Sequence, residues 1–137
     1  MTLRKWHVAI TSLFILLGVF IFAHRPHMFY PNLPFSSVPK ETVVSLLKEK
    51  PSDTIIQLAF EDGYVWYGAN ADHGLEIEKL KSDMDANGWK FMKQDGSGYF
   101  FTKGSEKIVI TSSMWSSEVV LFKAPVIVHP LKRSDSH

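Results

Sequence analysis

Cysteine is absent from this chain of 137 residues. Its absence excludes disulfides, thiolate metal sites, a cysteine nucleophile and a lipid-modified N-terminal cysteine. A Lys/Arg patch is missing too. From Pro31 onward 12 Lys and Arg stand against 14 Asp and Glu, a balance of −2. Phosphate neutralisation supplies most of the affinity for nucleic acid, so a slightly acidic domain of this kind is not expected to bind it. The chain has no internal repeats and no low-complexity tracts, which excludes a solenoid and a disordered tether. A composition of 45% hydrophobic and 21% charged residues fits neither a disordered chain nor a polytopic membrane protein.

What is present first is an apolar run. Val8, Ala9, Ile10, Leu13, Phe14, Ile15, Leu16, Leu17, Val19, Phe20, Ile21, Phe22 and Ala23 supply it without one charge among them. Thr11 and Ser12 interrupt it, and their hydroxyls can bond back to the helix's own carbonyls. From Val8 to Ala23 a helix is about 24 Å long, short of a ~30 Å hydrocarbon core, and Trp6 and His7 bring it near the lower limit for a span. Trp6 on one side and Phe29 and Tyr30 on the other suit the two membrane interfaces, where amphipathic rings settle. A soluble core helix would have a polar face, and this run has none. A cleaved signal peptide would have to be cut after Ala23. That places bulky Ile21 where a small residue is wanted.

The expectation is therefore a retained signal-anchor over residues 1–23, with secretion after cleavage as the alternative. Arg4 and Lys5 precede the run, and Arg25 alone follows it closely. The positive-inside bias then puts the N-terminus in the cytoplasm and the remainder outside the cell membrane, crossed once. The lipid bilayer is the first expected partner.

Residues 24–38 hold three prolines and read as a linker that breaks any helix leaving the membrane. Its aromatic and apolar residues leave two placements open, along the headgroups or packed on the domain. Residues 39–126 form the expected extracytoplasmic domain, and 127–137 a polar tail. Pro39 suits a first helical turn, Val43, Leu46 and Leu47 recur at helical spacing, and Pro51 ends the helix. Thr54 to Phe60 reads as a strand with Ile56, Leu58 and Phe60 on one face. Asp62-Gly63 marks a two-residue hairpin into Tyr64-Val65-Trp66-Tyr67. Asp72 can cap a second helix running to about Asn87, with Ile77, Leu80 and Met84 as its buried stripe and Gly88 as its left-handed cap. Four strands follow, parted by turns at Asp95-Gly96-Ser97-Gly98, Gly104-Ser105 and Ser116-Ser117, and Pro125 limits further pairing. The expected fold is α+β: a single N-terminal transmembrane helix, then a small domain with one antiparallel sheet, a hairpin plus a four-strand meander, packed by two helices. One sheet face carries a helix or two in this reading. The first helix covering part of the second face, or rings packed at the edges, would account for aromatics beyond a one-sided core. An incomplete barrel is the alternative.

Chemistry-bearing residues are scattered. Six histidines show no spacing that would converge three or four ligands on a metal. Asp95-Gly96-Ser97-Gly98 joins two strands, whereas a phosphate loop precedes a helix. The serines at 112, 113, 116 and 117 lack an elbow motif and a base, so a solvent face and a turn explain them. Acidic Asp72, Glu76 and Glu78 suit a helix N-terminus. No metal or cofactor is expected. The aromatics are in surplus for a one-sided core. Tyr64, Trp66, Tyr67 and Trp115 are the candidate binding residues, as an exposed aromatic strip for an envelope protein, a glycan or the bilayer surface. The expected function is a membrane-anchored binding or accessory module. A small envelope hydrolase and a secreted inhibitor or immunity-type protein are the alternatives.

Overall fold

The computed structural model describes residues 2–24 and 30–127. Arg25, Phe29 and the polar tail from residue 128 lie outside the described residues. The chain divides into two compact units, Met1–Tyr30 and Pro31–His137.

Among the described residues the first unit holds one helix, α1 (Thr2–His24). Within it the 19 residues Lys5–Ala23 are long and apolar enough to cross a membrane, and none of them is buried. The Thr11 hydroxyl donates to the carbonyls of His7 and Val8 at 2.8 and 3.0 Å, which hides its polarity inside the helix. Among the described residues the chain thus carries a single apolar helix, near its N-terminus, of the length and composition of a membrane anchor or a signal sequence.

The second unit contains α2 (Lys40–Lys48), β1 (Ile56–Glu61), β2 (Tyr64–Asn70), α3 (Leu75–Ala86), β3 (Lys90–Asp95), β4 (Gly98–Lys103), β5 (Glu106–Met114) and β6 (Val119–Pro125). The six strands form one open antiparallel sheet in the order β1-β2-β6-β5-β4-β3. This is the expected α+β fold, with hairpin, meander and two helices. The sheet is open, since β1 and β3 are its edges, so no barrel forms.

Local chemistry explains most of the elements. Asp62 and Gly63 both have positive φ, 55° and 78°, as a type I′ turn requires. Gly88 has φ 85°, and Trp89 N–H donates to the Met84 carbonyl at 2.9 Å, closing α3 with a left-handed cap. Lys81 pairs with Glu78 at 2.9 Å, one helical turn away. The expected cap at Asp72 does not form. His73 (φ 50°) and Gly74 (φ 91°) bend the chain between Asp72 and the helix, which leaves Gly74 at the N-cap position. Glu76 reaches back instead, and the Asp72 N–H donates to its carboxylate at 3.0 Å.

The helices do not share a face: α3 packs on one, and α2 covers part of the second, the arrangement that accounts for aromatics beyond a one-sided core. Leu80 and Met84 of α3 pack on Val65, Tyr67, Ala69, Phe101, Ile110 and Phe122, the main core. Leu47 of α2 lies on the opposite face, where a Cβ placed on Gly68 would come within 3.2 Å of its Cδ1. That helix is fastened by Asn70, whose amide donates to the carbonyls of Leu47 and Lys50 at 2.9 and 2.8 Å. Both edge strands are bulged, between Gln57 and Ala59 and between Phe91 and Lys93. The first bulge corrects the pattern read from the sequence. It moves Phe60 onto the core side of the edge strand, opposite Val65, and away from the face that Ile56 and Leu58 share.

Of the two placements open to the linker, residues 31–38 pack on the domain. Phe35 is buried and meets Trp66 at a ring distance of 5.4 Å. Trp115 Nε1 donates to the Pro31 carbonyl at 3.0 Å. The Glu61 carboxylate accepts from the Ser36 N–H at 2.9 Å, the Ser37 N–H at 3.1 Å and the Ser36 hydroxyl at 3.1 Å. The Ser36 N–H, foremost among these donors, holds the Glu61 carboxyl below its usual range despite some desolvation. A carboxyl whose folded pKa is depressed contributes stability above the ordinary carboxylate range and loses it as pH falls. Wild-type protein is therefore expected to lose this clasp as pH falls below the ordinary carboxylate range, and Glu61→Gln to show a flatter response there. Thermal unfolding of both proteins against pH checks this. Parallel curves would show that the clasp contributes nothing.

Candidate binding face and groove

One face of the sheet takes α3 over the main core, and the other is half-covered. On the other face lie Tyr64, Trp66, Gly68 and Asn70 of β2, opposite Pro125, Lys123, Leu121 and Val119 of β6. Here α2 and residues 31–38 cover the β1–β2–β6 end. Toward β3, β4 and β5 the same face is open, and it presents Phe100 opposite Val109 with Lys93 beside them. Cations sit over the rings of this face. Lys123 Nζ lies 4.0 Å from the centre of Tyr64 and 5.5 Å from that of Trp66, and Lys93 Nζ lies 5.0 Å from that of Phe100. A lysine stacked on an aromatic face keeps its charge at the surface while its stem covers the ring.

A groove of about 640 Å³ opens in this half. It arises where β5 and β6 part. Their ladder holds four registered pairs, from Thr111↔Lys123 to Met114↔Val120, and none beyond Thr111 among the described residues. β6 instead follows β2 to its end at Tyr64↔Pro125, and the Val126 N–H donates to the Gly63 carbonyl at 3.3 Å. β5 follows β4 to its start at Lys103↔Glu106. Each wall is held from its outer side, so the gap is part of the fold. Its lining includes Phe101 and Ile108, which belong to the core cluster, so the groove reaches down to the core.

The proposed strip is thereby divided. Tyr64 is 38% exposed and lines the groove, and Trp66 is half-buried on the same face. Tyr67 is 1% exposed and Trp115 6%, so neither is a surface residue. Tyr67 follows Trp66 in an alternating strand and points into the core. Trp115 is roofed by the segment that supplies its Pro31 hydrogen bond. The surface-forming residues that the aromatic count alone does not reveal are Met92, Lys93 and Val109. Met92, 61% exposed, is thrown out by the bulge in β3. The one sequence signal for the groove is Pro125, which cannot donate to a ladder.

The remaining candidates have structural roles. Asp95 pairs with Gly98 across the hairpin turn. The Ser116 hydroxyl accepts from the Glu118 N–H at 3.2 Å within its turn. Glu61 and Glu76 are engaged by backbone N–H groups. Among the described residues no three His, Cys, Asp or Glu are grouped so as to hold a metal ion. No protein family, curated protein or solved structure matches this chain.

Proposed function

We propose that this protein is a single-pass, membrane-anchored binding module. In this reading α1 stays in the cell membrane with its N-terminus in the cytoplasm, and the α+β domain works outside. The observation that carries it is the half-open sheet face, where Tyr64 and Phe100 stand with Lys123 and Lys93 over their rings. A folded domain gains by burying such residues, since each Å² of apolar surface removed from water is worth about 25 cal/mol. An open face of rings on a built sheet is therefore a binding surface in this reading. The apolar helix and its basic start support the address.

The test is a photo-cross-linking amino acid placed at Tyr64 and, separately, at Phe60, which is also exposed but lies on the other side of the sheet. Irradiation of intact cells is expected to give a discrete adduct from position 64 and none from position 60. A reporter active only outside the cytoplasm, fused after His137, is expected to be active. Equal adducts from both positions, or none from position 64, would remove the binding face. A silent reporter would reverse the orientation.

A further inference from the structure

The groove between β5 and β6 differs in kind from the aromatic face around it. Two neighbouring strands normally continue their ladder, because unpaired backbone groups are costly. Here the ladder stops at Thr111↔Lys123 while both strands run on, each retained by another neighbour. The space left open is lined by Met92, Phe100, Ile108, Val109, Pro125 and Ile127, with Lys93 and Lys107. Among the described residues no lining side chain carries a carboxylate. Protein interiors are close-packed, and a gap that reaches core side chains forfeits contacts on its open side. Its volume lies within the roughly 300–1,000 Å³ typical of small-molecule sites. An apolar slot with two cations and no anion complements a ligand with an apolar body and a negative head.

We propose that this groove binds one chain of a single-chain anionic amphiphile, such as a long-chain carboxylate or monophosphate. The apolar chain lies between Val109 and Pro125 over Ile108, and the head is met by Lys93 and Lys107. This rests on the reading of the open face as the binding surface, and it names the ligand of that surface. A two-chain lipid held in a bilayer is a different occupant, and the labelling experiment separates the two. Ion pairing at the mouth fixes the head, and burial of the chain supplies most of the affinity.

The test uses the full chain reconstituted into vesicles of neutral phosphatidylcholine. A long-chain fatty acid carrying a photoactivatable diazirine is added, the sample is irradiated, and labelled peptides are mapped by mass spectrometry. Saturable labelling is expected on the peptides that hold Phe100 and Val109, competed by unlabelled fatty acid. Lys93→Glu with Lys107→Glu is expected to weaken labelling by about tenfold or more, since each lysine near an anionic head strengthens its binding several-fold. Both side chains are exposed, so the fold is retained. Val109→Trp, at a position already 37% exposed, fills the slot and is expected to abolish labelling. Unchanged thermal unfolding of each variant excludes loss of fold as the cause.

Four results would overturn the proposal. Labelling that does not saturate or falls elsewhere removes the site. Equal labelling by the matching fatty alcohol removes the charge requirement. Equal labelling by a photoactivatable two-chain anionic lipid assigns the groove to the membrane surface. Labelling that appears only after residues 128–137 are deleted assigns it to the chain's own tail. The two readings fail separately. A purified chain that labels in the groove, while position 64 gives no adduct in cells, keeps the ligand site and removes the cellular binding role.

Discussion

Phe122→Ala is expected to destabilise the domain by about 3–5 kcal/mol, the range for deleting a buried phenylalanine ring. Phe122 is 0% exposed and lies in β6, a central strand. It stands opposite Tyr67 on one side and Ser112 on the other. The core around it includes Leu80 and Met84 from α3. A rigid sheet carries most of these neighbours, so the cavity cannot collapse and the cost falls at the upper part of that range. A domain of about a hundred residues is stable by only about 5–15 kcal/mol. The unfolding midpoint should therefore fall by on the order of 20 °C. Phe60→Ala is the matched control. Phe60 is 60% exposed, and its loss should cost within about 0.5 kcal/mol. Thermal unfolding followed by near-ultraviolet circular dichroism of both variants decides the point. Equal losses at the two positions would mean that the sheet is not packed as described.

The contrast between Phe122 and Phe60 shows where sequence periodicity succeeds and where it stops. Alternation holds along β2, where Tyr64 and Trp66 fall on one face and Val65 and Tyr67 on the other, because the irregularity in its pairing with β1 lies in β1. It misplaces Phe60 because one extra residue in β1 shifts the parity of everything after it. The same device in β3 exposes Met92. Bulges leave no local mark in composition, so the edge strands were the least legible part of the sheet. Turns were the most legible, since Asp62-Gly63 and Gly88 carry backbone requirements that few other residues meet.

The binding face was legible only in part, and for a long-range reason. Alternation alone puts Tyr64 and Trp66 on one face and Tyr67 on the other, and it stays silent on which face is covered. Coverage depends on contacts between residues far apart in the chain: Leu47 near Gly68, Phe35 against Trp66, and Trp115 beneath Pro31. Placing α2 and α3 on opposite faces follows from the same contacts. One helix would have sufficed for a one-sided sheet. The second roofs half of the other face and leaves the rest, with the groove, open to a ligand.

Leu16→Lys combined with Leu17→Lys is expected to remove the protein from the membrane. Both residues lie near the middle of the 19-residue stretch Lys5–Ala23, whose residues are all exposed in the chain itself. A lysine at the centre of a transmembrane helix costs about 2.5–3.5 kcal/mol on insertion, so two cost about 5–7. At about 1.4 kcal/mol per factor of ten, insertion becomes about four thousand to a hundred thousand times less favourable. Snorkelling cannot rescue them, because adjacent central positions are farthest from both interfaces. The wild-type chain should stay in the pellet after alkaline extraction of membranes, and the variant should leave it. The same gel separates the alternatives. A cleaved signal would already place wild-type protein in the supernatant, with a mature N-terminus at His24. An apolar helix that serves a partner protein in solution would put both forms in the supernatant at full length. Retention of the wild type together with release of the variant is the result that only an anchoring helix gives.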